Sequence, residues 1–207
     1  MKRDLDCAHY LSLGYITTMS IEAPIDLTES PIDLISFTVA GNPTAQARAV
    51  ICRGKGAYSR VWMRDPSSVK KQIFHDAVKL LVFGIGSQNQ PTEVVFKVDS
   101  PIIVDITFCM KPPQDHFVNG NTSRGTLKPS ALTKWPTMPD VDNLDKFVLD
   151  SLQGLLYDND SQVICQRIQK VYHHQAPFTG QTMVCIRRAN EDNYGSLPFP
   201  ATTTPIM

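Results

Sequence analysis

The chain has 207 residues, of which 42% are hydrophobic and 19% are charged, and its formal net charge is zero. This length suits one domain of ordinary size with short appendages. No uninterrupted apolar run approaches the roughly 20 residues that a membrane-spanning helix needs, so we expect no membrane segment. The balanced charge excludes a uniformly basic surface, but it is compatible with a local basic face.

The cysteines and the N-terminal sequence both bear on the cellular compartment. The five cysteines show no Cys-x-x-Cys spacing, and an odd number of this kind favours reduced thiols over disulfides or zinc ligands. Lys2 and Arg3 are followed at once by Asp4 and Asp6, which is unlike a secretory signal. We therefore expect an intracellular protein, in the cytoplasm or nucleoid, or in the nucleus or an organelle if the source is eukaryotic.

The first third of the chain contains one predicted strand and one predicted helix. Residues 1–32 have weak periodicity and are interpreted as a variable extension. From Asp33 to Ala40 apolar residues alternate with polar or small ones, which predicts a strand. A basic stretch follows, with a possible hairpin around residues 53–56. Asp65 as N-cap and Pro66 at the first position then predict a helix, because its apolar residues recur at helical spacing.

The remainder of the chain predicts strands on either side of a long loop and a second helix. Residues 94–110 read as a strand that is bent near Ser100, and their second half has the clearest alternation in the chain. Residues 111–139 form a long proline-rich loop, and loops of this length in a compact domain are usually functional or disordered. Its basic residues lead directly into an acidic cluster, which favours a functional role. A helix then begins near Asp142, and strands follow at residues 162–172 and 182–187.

This order of elements predicts the fold class. Strands and helices that alternate irregularly indicate an α+β domain, with a small mixed β-sheet packed against two main helices. We place this domain at residues 33–188, between the variable N-terminal extension (1–32) and a flexible, Pro- and Thr-rich C-terminal tail (189–207).

The most informative segment reads Pro-Asp-Val-Asp-Asn-Leu-Asp-Lys and ends at Lys146. We expect Asp140 and Asp142 to lie in an extended lead-in, where residues two apart face the same way and Val141 turns towards the core. Lys146 lies one helical turn beyond Asp142 and shares its face. After the helix, a turn carries Asp160. If the next strand pairs beside the start of the helix, the three carboxylates meet at one point.

Such a group of carboxylates has a natural ligand. Three carboxylates in one place repel each other, and oxygen-only ligation by few protein groups suits Mg²⁺, which also binds phosphate. The ion can polarise a phosphate and lower the pKa of a bound water. We therefore predict Asp140, Asp142 and Asp160 as metal-binding and catalytic residues. Lys146 is the fourth catalytic candidate, placed to stabilise charge that develops on the phosphate.

A purely structural interpretation of the same residues stays open at this point. Asp-x-Asp-Asn ahead of an apolar helix is also ordinary N-capping chemistry, and Asp-Asn-Asp is an ordinary turn. Asp145, Asp150 and Asp158 are interpreted as solvated or locally hydrogen-bonded side chains. A calcium loop does not fit, because neither cluster has the required glycine at its sixth position.

Taken together, two motifs of the chain resemble the signature of the RusA family of Holliday-junction resolvases: Asp140-x-Asp142-Asn143-Leu144-x-Lys146 with Asp150 beyond it, and Asp160-x-Gln162-Val163. The strand that ends in Gly41-Asn42-Pro43 is similar to the first strand and Gly-x-Pro turn of that family. The similarity covers about residues 33–188. The chain departs from the family pattern at Asn159, where an acid is common, and at Pro139, where a basic residue is common.

The resemblance implies an α+β RusA-like fold and a function. It implies a Mg²⁺-dependent endonuclease that cuts branched DNA such as four-way junctions, and a homodimer that nicks two opposing strands. By position, Asp140, Asp142 and Asp160 correspond to the catalytic, metal-binding acids of the family, and Lys146 to its essential lysine. Asp150 corresponds to a recurrent helix acid whose role is structural.

The local distribution of charge suggests where DNA binds. The segment 43–71 and the long loop are rich in Lys and Arg, whereas residues 140–160 are rich in Asp. A basic surface beside an acidic pocket suits an enzyme that acts on a polyanion through a cation. The predicted phosphate contacts are Arg48, Lys111, Arg124, Lys128 and Lys134.

Two other functions remain compatible with the sequence. One is a protein of the same fold that binds junctions without cutting them. The other is a Mg²⁺-dependent phosphohydrolase that acts on nucleotides. The discriminating observations are DNA binding without Mg²⁺-dependent nicking for the first, and release of phosphate from small substrates without DNA affinity for the second.

Overall fold

A computed structural model describes residues 33–53, 61–84, 95–122 and 125–190. Its helices and strands follow one another as β1 (Leu34–Ala40), β2 (Val50–Arg53), β3 (Val61–Arg64), α1 (Ser68–Phe83), β4 (Ile102–Met110), α2 (Val141–Leu152), β5 (Val163–Tyr172) and β6 (Gln181–Arg188). The predicted extension at 1–32 and most of the predicted tail lie outside the described residues, so the outer domain limits stay a prediction.

The main sheet is mixed, as the sequence predicts. Its strand order is β1-β6-β4-β5. β6 pairs antiparallel with both β1 and β4, whereas β4 and β5 run parallel. The parallel pair requires a crossover, which contains the long loop and α2. β2 and β3 form a separate antiparallel ribbon of two strands. The α+β class is therefore confirmed.

The core lies where α1 and α2 pack against this sheet. The central strand β4 contributes the side chains of Ile102, Val104, Ile106 and Phe108, all at most 1% exposed. On α2, the buried residues Leu144, Phe147, Val148 and Leu152 recur at helical spacing. Phe147 meets Phe74 of α1 edge to face, with ring centroids 5.7 Å apart. This packing fixes α2, the helix that carries the acidic motif.

The predicted strand at 94–110 is wrong over residues 95–101, while residue 94 lies outside the described residues. The strand begins only at Ile102, while Phe96 makes an isolated bridge to Tyr157 and the amide of Ser100 donates to the carbonyl of Lys97. Pro101 has no backbone N–H, so it cannot donate a hydrogen bond to a neighbouring strand. The carbonyls of residues 96, 97 and 100 accept hydrogen bonds from one side chain, that of Gln162, instead of from a neighbouring strand.

The start of α1 also differs from the prediction. The N-cap is Ser67 rather than Asp65. The Ser67 hydroxyl accepts a hydrogen bond from the amide of Ala47 at 2.8 Å, which ties the segment before β2 to the start of the helix. Asp65 instead accepts from the amide of Ser67 and pairs with Lys71. Pro66 thus belongs to the turn that precedes the helix.

The long loop has local structure of its own. It contains three short 3₁₀ turns, at Gln114–His116, Val118–Gly120 and Pro129–Ala131. Phe117 is 1% exposed, forms a bridge with Leu127 and contacts Phe178 edge to face. The loop is therefore attached to the domain through a buried aromatic residue.

Two smaller expectations concern membranes and cysteines. Across the four described ranges, no helix combines the length and the apolar character needed to cross a membrane. Cys52, Cys109, Cys165 and Cys185 are free thiols, as expected, while Cys7 lies outside these ranges.

Candidate active site

Asp140 lies immediately before α2 as its N-cap, with extended backbone geometry, but its side chain makes no capping hydrogen bond. Its carboxylate is exposed and accepts no hydrogen bond from the backbone amides at the start of the helix. The capping interpretation is therefore not realised at Asp140. One geometric expectation is wrong, since Asp142 lies in the first helical turn rather than in an extended lead-in. For the same reason Val141 does not enter the core, and it is 41% exposed.

Asp145 joins the predicted acids. It follows Asp142 by three residues on α2 and therefore lies on the same helical face. Its half-buried carboxylate accepts a hydrogen bond from the side-chain amide of Gln166 on β5. The pKa of Asp145 is raised to about 6, chiefly because the carboxyl group is partly buried. The hydrogen bond from Gln166 acts in the opposite direction, and the negative charges of Asp160 and Asp142 add to the increase. Asp142 and Asp160 thus lie in the electrostatic neighbourhood of the same carboxyl group.

Asp145 was not among the residues predicted from the sequence. The sequence interpretation gives it as a solvated or locally hydrogen-bonded side chain, yet its spacing from Asp142 places both on one helical face. What the pattern does not reveal is that β5 passes beside that face and covers the carboxyl group. Asp145 therefore belongs to the acidic site, although the sequence motifs alone do not identify it.

Asp160 begins the 3₁₀ turn Asp160–Gln162, which leads into β5. This turn is capped by its neighbours: the side chain of Asn159 accepts from the amide of Ser161 at 2.9 Å, and that of Gln162 accepts from the amide of Asn159 at 3.0 Å. The ordinary turn chemistry thus belongs to Asn159 and Gln162. Asn159, which departs from the family pattern, has a clear structural role as the cap. The carboxylate of Asp160 is exposed and does not cap this turn.

Gln162 secures the position of this turn. It is 5% exposed. Its side-chain oxygen accepts from the amide of Asp158 at 2.8 Å as well as from Asn159, and its side-chain nitrogen donates to the carbonyls of residues 96, 97 and 100. A buried amide with all its hydrogen-bonding capacity used holds its surroundings in one arrangement. The Gln of the second motif therefore fixes the backbone that presents Asp160.

Lys170 has a comparable effect on the other side of the site. From β5 its ammonium group donates to the carbonyls of Pro139 at 2.6 Å and Thr137 at 3.1 Å. These are the last residues before Asp140, so Lys170 anchors the lead-in to the first predicted ligand. Gln166 and Lys170 are four residues apart and project from the same face of β5. One face of this strand thus holds the side chain of Asp145 and the backbone before Asp140.

Asp150 has the structural role that the resemblance implied. Its carboxylate accepts a hydrogen bond from Lys71 of α1 at 2.8 Å, and Lys71 also pairs with Asp65 at 2.8 Å. The hydrogen bonds from Lys71 and from the amide of Ser67 keep the pKa of Asp65 below its usual value. This bridge joins α2 to α1 and to the turn before it.

The three predicted ligands do not form a ready-made cage. Within the part of the chain that the structure describes, no three His, Cys, Asp or Glu side chains are arranged as a metal-binding group. Mg²⁺ is usually held by one or two carboxylates, with water and substrate phosphate completing the shell. Exposed carboxylates at the two motifs offer that donor chemistry, so the residues present fit the ion.

Two of the predicted phosphate contacts bond to a residue of the long loop. Lys128 donates to the backbone carbonyl of Asp115 at 2.7 Å, and Lys134 pairs with the Asp115 carboxylate at 3.6 Å. Lys111 and Arg48 are exposed, and Arg124 lies outside the described residues. The observed contacts of Lys128 and Lys134 therefore run to Asp115 rather than to the acidic residues of α2.

The raised pKa of Asp145 predicts a pH-dependent effect on stability. A carboxyl group whose pKa is higher in the folded state binds its proton more tightly there, so its burial costs stability increasingly as the pH rises from about 4 to about 6. Asp145→Asn keeps an acceptor for Gln166 and removes the charge. In EDTA, we expect this variant to exceed the wild type in Tm by a few degrees at pH 7.5 and by much less at pH 4.5. The same difference at both pH values would contradict this account.

The fold and the site together define a class. Exposed carboxylates at the start of a helix and in a nearby turn of a mixed α+β domain offer oxygen donors of the kind that bind Mg²⁺ and, through it, phosphate. The family model described as "Endodeoxyribonuclease RusA" matches residues 40–180. The chain is 33% identical over 144 residues to "Uncharacterized protein YqaN" of Bacillus subtilis (strain 168), an alignment that covers 70% of this chain and 92% of the relative. The chain therefore belongs to the RusA endodeoxyribonuclease family, which confirms the resemblance seen in its motifs.

Proposed function

We propose that this protein is a Mg²⁺-dependent, structure-selective endodeoxyribonuclease that resolves Holliday junctions and other branched DNA by paired hydrolysis of phosphodiesters. The observation that carries the proposal is the match of residues 40–180 to an endodeoxyribonuclease family, together with exposed carboxylates at both acidic motifs: Asp142 in the first turn of α2 and Asp160 in the turn before β5. Branched DNA as the substrate also implies that the protein acts inside the cell.

The acids have distinct assignments in this proposal. Asp140, Asp142 and Asp160 would hold the ion, because their carboxylates are exposed and none is used to cap the element that carries it. Bound there, Mg²⁺ supplies Lewis-acid polarisation of the scissile phosphate and a water of lowered pKa. Asp145 is engaged by Gln166, so its contribution is negative charge beside the ligands rather than ligation.

Lys146 is assigned to the phosphate. It is exposed on α2, one helical turn from Asp142, and therefore reaches the same side of the helix. Its ammonium group can stabilise negative charge that develops on the phosphate or the leaving oxygen. The products would carry 5′-phosphate and 3′-hydroxyl ends.

Binding of the substrate is assigned to basic residues around the site and to a second subunit. Arg48, Lys111, Arg124, Lys128 and Lys134 are the proposed backbone contacts, and they make affinity fall steeply with added salt. A homodimer would place two active sites on opposing strands of one junction. The two cuts would then be made within one complex.

The deciding experiment compares a synthetic four-way junction with a linear duplex of the same sequence, with and without Mg²⁺. We expect paired nicks in opposing strands of the junction in Mg²⁺, none in EDTA, and little cleavage of the duplex. Junction binding without any nicking in Mg²⁺ would favour a non-catalytic junction-binding protein. Phosphate release from nucleotides without DNA affinity would favour a phosphohydrolase.

A further inference from the structure

The ribbon of β2 and β3 exposes apolar side chains on both of its faces. Directly paired residues of an antiparallel ribbon project from the same face. Ile51 therefore shares one face with its partner Met63, and these side chains are 65% and 73% exposed. Trp62, which is 50% exposed, lies on the other face opposite Cys52. A two-stranded ribbon is only marginally stable by itself. Several exposed apolar side chains on such a ribbon indicate an interaction surface.

Both ends of the ribbon are attached beside the acidic site. Before β2, the amide of Gln46 donates to the carbonyl of Asn143 in the first turn of α2 at 2.8 Å. After β3, Asp65 pairs with Lys71, which also bonds Asp150 of α2. The ribbon thus starts and ends next to the helix that carries Asp142 and Lys146.

The charge of the ribbon indicates which kind of partner it binds. The described residues 41–53 and 61–64 contain Arg48, Arg53 and Arg64 and no acidic residue. A polyanion complements this surface. A second copy packed ribbon against ribbon would instead bring like charges together, which disfavours association.

We propose that the β2–β3 ribbon is a DNA-binding arm beside the acidic site, on which Trp62 stacks against an unstacked base at a branch point while Arg53 and Arg64 contact the flanking phosphates. Apolar side chains inserted at base steps and aromatic rings stacked on bases are common means of holding distorted or single-stranded DNA. A branch point offers such bases and a continuous duplex does not, so the arm would contribute to selection of branched DNA. This inference rests on the proposed function.

The test uses the full-length protein and a synthetic four-way junction in EDTA. Trp62→Ala is expected to raise the Kd for the junction about tenfold, as the loss of one base–aromatic stack predicts, with little change for linear duplex. Trp62→Phe keeps an aromatic ring and should restore most of the affinity. Val69→Ala, at an exposed apolar position of α1, is the matched control and should bind as the wild type does. Arg53→Gln and Arg64→Gln should each lower the slope of log K against log salt by about one.

Fluorescence gives a second measurement that does not depend on affinity. Trp62 and Trp135 are the two tryptophans of the chain, so Trp135→Phe leaves Trp62 as the sole reporter. Its emission should be quenched when the junction is added and much less when duplex is added. Absence of quenching together with an unchanged Kd for Trp62→Ala would overturn the proposal.

Two further outcomes separate this proposal from others. If the unmutated protein neither binds nor cuts branched DNA, the proposed function itself fails. If the unmutated protein cuts junctions and sedimentation shows that Trp62→Ala or Met63→Ser converts a dimer into monomers, the ribbon is a contact between copies of this chain. That result would overturn its assignment to DNA.

Discussion

Asp142→Asn is expected to lower the rate of junction cleavage by at least about a hundredfold, because in the proposed function it removes a carboxylate that would hold the metal ion and with it several kcal/mol of transition-state stabilisation. Binding of the junction should remain, since it depends on basic residues elsewhere. Asp142 is exposed in the first turn of α2, so the fold has no need of its charge. Single-turnover cleavage in Mg²⁺ measures the first effect, and gel-shift titration in EDTA measures the second.

The second motif provides a matched pair of variants for the same prediction. Asp160→Asn should behave as Asp142→Asn does. Asp158→Asn alters an exposed acid of the same turn, two residues away, and should cut at the rate of the unmutated protein. Wild-type cutting by Asp142→Asn, or equal losses in Asp158→Asn and Asp160→Asn, would remove the metal assignment.

Gln162→Leu is expected to destabilise the protein by roughly 3 kcal/mol and to abolish cleavage. The substitution removes five hydrogen bonds and leaves the carbonyls of residues 96 and 100 buried without this donor. Each buried polar group that loses its partner costs about 1–3 kcal/mol. For a domain of this size, the expected fall in Tm is roughly 10 °C. Thermal unfolding and junction cleavage below the Tm are the two measurements.

A neighbouring glutamine provides the control for this variant. Gln169→Leu changes an exposed residue of β5, and surface substitutions of this kind usually alter stability by less than about 0.5 kcal/mol. If Gln162→Leu and Gln169→Leu unfold at the same temperature, Gln162 does not hold the Asp160 turn in solution. If Gln162→Leu is destabilised but cuts normally at low temperature, the turn does not need Gln162 to present Asp160.

Local sequence patterns were sufficient to predict the central strand, helix α2 and the family of this protein. The alternation in residues 102–110 predicted the central strand because strand periodicity is a local property. The apolar spacing after Asp142 predicted α2 for the same reason, and the two acidic motifs identified the family. The same reasoning failed at residues 95–101 and at the start of α1. At residues 96–100 the side chain of Gln162, distant in sequence, takes the backbone carbonyls, and at the start of α1 the Ser67 hydroxyl accepts from the backbone amide of Ala47, 20 residues away.

Tertiary structure decided which acids share one environment. From the sequence alone, Asp145 and Asp158 are equivalent surface acids. In the fold, β5 passes beside Asp145, half buries it and brings Gln166 to it, whereas Asp158 stays exposed. Likewise, the side chain of Gln162 donates a hydrogen bond to a carbonyl 62 positions away in the sequence, and that of Lys170 to a carbonyl 31 positions away. Sequence periodicity determines which face of an element is buried, but desolvation and hydrogen bonding at a given carboxyl group depend on the strand packed beside it.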